Sequence, residues 1–483
     1  SSDIEKRLRD LEKTLVPCNI LEFAKVHVFS SEQYSYALDD ALDIDSNLDL
    51  DYQRVKDKTR NFGRQVAKHE EVLDELLPEL LIHVGEQIYY FSQGLAEGCS
   101  DSLAMWLKFR NQFRQIPKEK RCYALFGGFL NALSQTDPVL TDRILDESVS
   151  DELLTEVFPL LQFSVEIDIK GVSRIKEALR KENAPIWRFQ GIAYGRNHES
   201  ICDTDLVGLL HIIALKTDGL FVAIEILKMR IHGLEEKVPD SICTAGQELL
   251  LKIDFINLPE KVVNLGHTLS SIIEACFKNG SAEKNAENIL SKITLSAIER
   301  TMFFYHISSI IRAFAKVQPV AWLDGVINTI IKNRDKVEDF YIARSIQMEN
   351  PLSEIEDDLI LSWCAKNPTE RYSGIATQLA PFQISSQDDI YEWRPIAKAI
   401  LEKAPDSIAI LNRFYDKYSP NYWSTVMSIN MERSLPLLDS LISKEKVIIS
   451  EWAKNKKIEF LKAIESWRKM EEHENRNQNE SFE

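Results

Sequence analysis

Apolar residues recur along most of this chain at intervals of three and four, most clearly from Thr204 to Gly233. Leu206, Val207, Leu209, Leu210, Ile212, Ile213 and Leu215 make one helical segment, which breaks at Asp218-Gly219. Phe221, Val222, Ile224, Ile226, Leu227, Met229 and Ile231 make a second, which stops at Gly233. Both are apolar on more than one stripe, so each must be covered on more than one side. An isolated helical hairpin cannot supply that cover, whereas stacked hairpins can.

The same rhythm predicts helices elsewhere. A first helix is expected over residues 4–15 behind a Ser2-Asp3 cap, and a long helical pattern over roughly 61–94. From Ser100 onward, apolar stretches alternate with short breaks, among them Thr136-Asp137-Pro138, Val238-Pro239-Asp240, Asn279-Gly280-Ser281, Asn350-Pro351, Asn367-Pro368-Thr369, Ala404-Pro405-Asp406 and Ser419-Pro420-Asn421. Proline just inside a helix start, a capping Asp, Ser or Thr, and glycine just past an end are the expected punctuation. Arg394-Pro395-Ile396-Ala397 and Leu435-Pro436-Leu437-Leu438 open similar segments, and Pro351 opens another. Their spacing, about 40 to 45 residues, fits HEAT or armadillo units. The expected fold is therefore all-α, a HEAT/armadillo-like solenoid of irregular repeats. Its expected divisions are an N-terminal helical region with an acidic loop (1–99), helical repeats (100–350), C-terminal HEAT-like repeats with a capping helix (351–470) and a frayed polar tail (471–483).

Composition agrees with helix. The 483 residues include only 17 glycines and 16 prolines, too few for the turns of a β-rich protein of this size. The formal net charge of −17 repels nucleic-acid phosphates and anionic membrane surfaces. Seven cysteines, at 18, 99, 122, 202, 243, 276 and 364, form no CxxC and read as buried reduced thiols of a cytoplasmic protein. No apolar run approaches a membrane span, no signal peptide is present, and the sequons at Asn279 and Asn479 read as coincidental. The start at Ser1-Ser2, without methionine, reads as a fragment of a longer polypeptide.

Chemistry is sparse. There is no GxxxxGK[ST], GxGxxG, HExxH or GxSxG, and the nine histidines are scattered, so no catalytic, metal or cofactor site is expected. Asp43, Asp45, Asn47 and Asp49 have the 1-3-5-7 spacing of a calcium loop, but Leu48 and Arg54 stand where that loop needs glycine and glutamate. The stretch 39–51 reads as a solvated acidic loop. Two aromatic and basic clusters remain as candidate partner-binding residues. In the first, Trp187, Arg188, Tyr194 and Arg196 are residue types that anchor interfaces. Aromatics at helical spacing usually face inward, which places Trp187, Phe189 and Tyr194 in the core, with Gly191 and Gly195 allowing close helix approach. In the second, Arg413, Tyr415, Lys417, Tyr418, Tyr422 and Trp423 gather around Ser419-Pro420, where core and interface are equally open.

The segment Asp218-Gly219-Leu220-Phe221-Val222-Ala223-Ile224-Glu225-Ile226-Leu227-Lys228-Met229-Arg230, the run 359–382 with Trp363, Pro368, Arg371-Tyr372 and Pro381-Phe382, and the ending from Glu451-Trp452-Ala453 through Ser466-Trp467-Arg468 to Glu483 carry a resemblance. Over residues 170–483 the chain resembles the C-terminal helical-repeat regions of large bacterial antiphage defence proteins with an upstream STAND-type or related P-loop NTPase. The resemblance implies a sensor that binds a foreign, typically phage, protein, with oligomerisation and any catalytic step left to upstream domains. It transfers no binding residue. The alternatives are a general scaffold binding cellular proteins and, third, an enzyme with an unrecognised site. If Tyr418, Tyr422 and Trp423 form an interface, alanine at all three abolishes partner binding while the melting temperature stays near wild type. A large fall in melting temperature instead places them in the core.

Overall fold

Helices begin where the sequence supplies a capping carboxylate. Asp101, Asp137, Asp168 and Asp406 each accept a hydrogen bond from the backbone N–H three residues on, at 2.9, 2.9, 2.7 and 2.9 Å. Each such cap contributes about 1 kcal/mol. The computed structural model describes residues 7, 17, 19–29, 48–234, 238–255, 265–299, 308–333, 351–385, 390–417, 427–442 and 446–480. The protein is all-α, and the only sheet among the described residues is a two-stranded hairpin. Contacts divide it into two compact units, Ser1–His232 and Gly233–Glu483.

The first unit runs α1 (Ile20–Phe29), α2 (Leu48–Val66), α3 (Glu70–Leu80), α4 (Glu86–Gly98), α5 (Ser102–Arg114), α6 (Ala124–Thr136), α7 (Pro138–Ser148), α8 (Phe158–Gln162), α9 (Ile169–Lys181), a 3-10 segment (Ile186–Ala193), α10 (Asp203–Ala214) and α11 (Gly219–Ile231). One layer is the succession α2, α4, α6, α8, 3-10 segment, α11, each touching the next. The backbones of α2 and α4 meet directly. A Cβ on Gly94 would stand 1.9 Å from the Arg60 carbonyl oxygen, and one on Gly63 2.0 Å from that of Phe91. On the other side of the layer, Trp106, Phe109 and Phe113 of α5 meet Phe126 and Phe129 of α6 edge-on, with closest ring centroids 5.0 to 5.2 Å apart. Edge-on pairing adds to the burial of these rings, and truncating one to alanine costs about 3–5 kcal/mol. Between α7 and α9, the buried Arg174 holds Asp142 and Asp146 at 2.6 Å each.

The second unit runs α12 (Asp240–Leu251), α13 (Gly266–Cys276), α14 (Glu283–Ile298), α15 (Ser308–Val317), α16 (319–332, with a π-helical turn at Leu323–Ile327), α17 (Asp357–Ala365), α18 (Pro368–Gln378), β1 (Phe382–Ile384), β2 (Tyr391–Trp393), α19 (Pro395–Lys403), α20 (Ser407–Tyr415), α21 (Met427–Glu432), α22 (Leu435–Ile442) and α23 (Val447–Glu480). Alternate helices again form a succession, α12, α14, α16, α18, α20, α23, in which each touches the next. Hydrogen bonds from one pair to the following pair recur at offsets of 38 to 47 residues, several of them at 41 or 42. Lys292 to the Leu251 carbonyl, Ser296 to Phe255 and Gln318 to Phe277 are each 41 residues apart. Lys316 to Glu274 is 42 and Trp393 to the Leu437 carbonyl is 44. Among hydrogen bonds joining two described residues, the longest offset in either unit is 50, from Lys25 to Glu75.

Several expectations change. The pattern over 61–94 is not one helix but parts of α2, α3 and α4, broken at Lys68-His69 and again before Glu86. The β1–β2 hairpin was not expected. It pairs Phe382 with Trp393 and Ile384 with Tyr391, and burying Trp393 ties it to α22. α23 extends past 470, to Glu480. Of the cysteines, 243, 276 and 364 are buried, 99 and 122 half-buried and Cys202 exposed, and none of these six is in a disulfide. The expected helix at 4–15 and most of the acidic stretch 39–51 lie outside the described residues, although α2 begins at Leu48.

The glycine contacts give a paired test by urea denaturation. Gly94→Ala lowers unfolding stability by about 3 kcal/mol, because its methyl group has no space against Arg60. Gly208→Ala, inside α10 with nothing within 4 Å of its Cβ position, raises stability by up to about 1 kcal/mol.

Candidate functional site

Pro185 (φ −58°) starts the 3-10 segment, and its repeat of three residues decides which side chains face in. Phe189 and Ile192 share the inward face, at 1% and 0% exposed. Trp187, on a different face, is 59% exposed, and Tyr194, just past the end, is 55% exposed. The expectation that all three aromatics are core therefore holds for Phe189 and fails for Trp187, two positions round the segment from Phe189, and for Tyr194, which follows the segment in extended backbone. Gly191 does mark a close approach, with Phe163 Cδ2 2.3 Å from its Cβ position. Gly195 instead has φ +60°, and serves a turn.

The two arginines of this segment differ. Arg188 is largely covered: it donates to the Glu156 carbonyl, pairs with the Glu156 carboxylate at 3.6 Å and lies 5.2 Å from the Trp187 ring centroid. It braces Trp187 from behind. Arg196 is exposed and in the left-handed region (φ 64°), and its Nε donates to Glu199 at 2.7 Å. An exposed pair of that kind contributes little stability, so Arg196 is free in energetic terms to change partners. Beside the segment is a cleft of about 310 Å³, whose walls include Leu179, Ile186, Phe189 and the exposed Leu215.

The second cluster is divided. Tyr415 packs onto α23, 5.8 Å from the Trp452 centroid and 6.2 Å from that of Phe460, with the Lys456 ammonium 5.0 Å from its own centroid. Burial raises its phenol pKa. Lys417 points inward: its Nζ donates to the carbonyls of Ala376, Thr377 and Leu379 at 2.8, 2.9 and 2.7 Å. These are carbonyls at the C-terminal end of α18, which have no partner within the helix and attract a cation. Burial and the nearby Arg413 charge push the ammonium down to about 7, against the pull of Asp416. Arg413 stands half-exposed in the last turn of α20. Tyr418, Tyr422 and Trp423 lie outside the described residues.

Among the described residues there is no group of three or more His, Cys, Asp or Glu that could hold a metal ion, and no helix long and apolar enough to cross a membrane. Sequence reading did not single out Asp324, whose Oδ1 accepts from Asn328, Trp363 and Arg371 at 2.8, 2.9 and 3.2 Å. The Arg371 guanidinium also lies 4.0 Å from the Trp363 centroid, so this cluster is closed on itself and binds α16 to α17 and α18. The class defined by fold and geometry is an all-α protein of successively packed helices, and Trp187 and Tyr194 are the most exposed aromatic side chains among its described residues. Comparisons with protein-family models, curated proteins and solved structures find no match.

Lys417 gives the protein a pH-dependent stability. The folded state releases this proton near 7 and the unfolded state only near 10.5. Between those values the unfolded chain binds more protons, so unfolding free energy rises with pH, and below 7 the contribution is flat. Urea midpoints at about pH 6, 8 and 9.5 show this rise in the wild type, and Lys417→Met loses it.

Proposed function

We propose that this chain is a protein-binding helical-repeat module of the HEAT-like kind, acting in the cytoplasm as the target-sensing part of a bacterial antiphage defence protein. The observation carrying the repeat reading is the offset of 38 to 47 residues at which consecutive helix pairs of the second unit bond to one another. That range brackets the roughly 40–47 residues of a HEAT or armadillo repeat. A succession of such pairs presents an extended surface suited to a large partner rather than a small ligand. The net charge of −17 favours protein over nucleic acid as that partner.

Trp187 and Tyr194 are the anchors of choice in the first unit, since large rings held half out of the surface gain most from being covered. Arg196 stands beside them with only an exposed ion pair to give up. The defence role rests on the resemblance of residues 170–483 to sensor regions, and it makes a phage protein the expected partner.

The immobilised chain, exposed to lysates of phage-infected and uninfected cells, retains a phage-encoded protein from the former only. Trp187→Ala/Tyr194→Ala reduces that recovery at least about tenfold, with the melting temperature unchanged. Recovery of the same cellular proteins from both lysates would point to a general scaffold. A lowered melting temperature would make the two rings structural.

A further inference from the structure

Cys243 in α12 and Cys276 at the end of α13 are neighbours across the two helices, close enough for each thiol to shift the protonation of the other. The surrounding geometry fixes the encounter. The Cys243 sulfur also lies 3.9 Å from the carbonyl oxygen of Ala275, the residue before Cys276. The Cys276 sulfur rests on Gly246, one turn beyond Cys243, where a Cβ would stand only 2.8 Å from it. A larger residue at 246 would therefore separate the two thiols. Both are reduced, and they are unequally accessible, at 7% exposed for Cys243 and 1% for Cys276.

Their protonation also differs. The neighbouring Cys276 thiol lowers the pKa of Cys243, with burial and Asp240 opposing and Lys278 assisting. The Cys243 thiol and deeper burial raise that of Cys276. Peroxide reaches the more accessible sulfur, Cys243, first, and Cys276 waits behind it.

We propose that Cys243 and Cys276 form a peroxide-reactive pair that closes to a disulfide between α12 and α13. The Cys243 thiolate attacks one oxygen of hydrogen peroxide and breaks the O–O bond. Hydroxide leaves, takes up the proton lost by Cys243 and becomes water, and Cys243 is left as a sulfenic acid. The Cys276 sulfur then attacks the Cys243 sulfur and breaks its S–O bond. That oxygen departs as a second water carrying the Cys276 proton. Two thiols are oxidised by two electrons in all, and one peroxide is reduced to two waters. The crosslink joins two neighbouring helices that already touch, so it restricts the unfolded chain and stabilises this part of the unit.

The test uses the full folded chain, treated with hydrogen peroxide and then denatured, alkylated and mapped without reduction. The expected result is a Cys243–Cys276 linked peptide, about 2 Da lighter than its two reduced parts, together with a higher melting temperature that dithiothreitol reverses. Cys364, which burial pushes up to about 12, stays reduced under the same treatment. In Cys276→Ser, Cys243 stops at a sulfenic acid that dimedone traps, and Cys243→Ser leaves Cys276 as a free thiol. The proposal is overturned if both thiols remain alkylatable after treatment that oxidises Cys202. It is equally overturned if Cys276 oxidises as fast in Cys243→Ser as in the wild type.

Discussion

The constraint on which this architecture rests is that its helices are apolar on two sides and must be covered on both. In the first unit α4 satisfies it by lying between α2 and α6, close enough that Gly63 and Gly94 carry no side chain where the backbones cross. Covering a helix in this way also buries backbone groups at its end, and these need donors that the helix itself cannot supply. The second unit meets that need with long polar side chains from the following pair. Gln318 donates to the carbonyls of Phe277 and Asn279, and Lys417 to three at the end of α18. Apolar contact and backbone satisfaction are thus provided by the same neighbour.

The features legible in the sequence were the ones set locally. Thr136-Asp137-Pro138 announces the end of one helix and the capped start of the next, and Asp218-Gly219 separates α10 from α11 as its pattern predicts. Three features were hidden because something other than the 3.6 period decides them. The interruption between α2 and α3 lies inside a continuous apolar pattern with no proline or glycine at the break. The 3-10 segment turns Phe189 and Ile192 inward, which leaves Trp187 on another face. The role of Lys417 depends on carbonyls about forty residues away, and no local pattern in a single sequence records them.

The two candidate clusters have similar compositions and different surroundings. Arginine and lysine beside tyrosine and tryptophan mark both, yet Tyr415 and Lys417 are used to fasten α20 to its neighbours, whereas Trp187 and Tyr194 stand out from the surface. What separates them is whether another helix follows on that side. Composition specifies that a residue can make a strong contact, and the packing around it determines whether that contact is already made.

Short offsets between bonded residues also govern how the chain reaches this state. With no described hydrogen bond spanning more than 50 residues, each pair of helices can close with a small loss of loop entropy and without waiting for a distant segment. Low contact order of this kind favours rapid folding that starts at any locally stable pair and spreads to its neighbours. It equally permits one pair to open while others remain intact, so amide protection varies along the chain rather than falling in a single step.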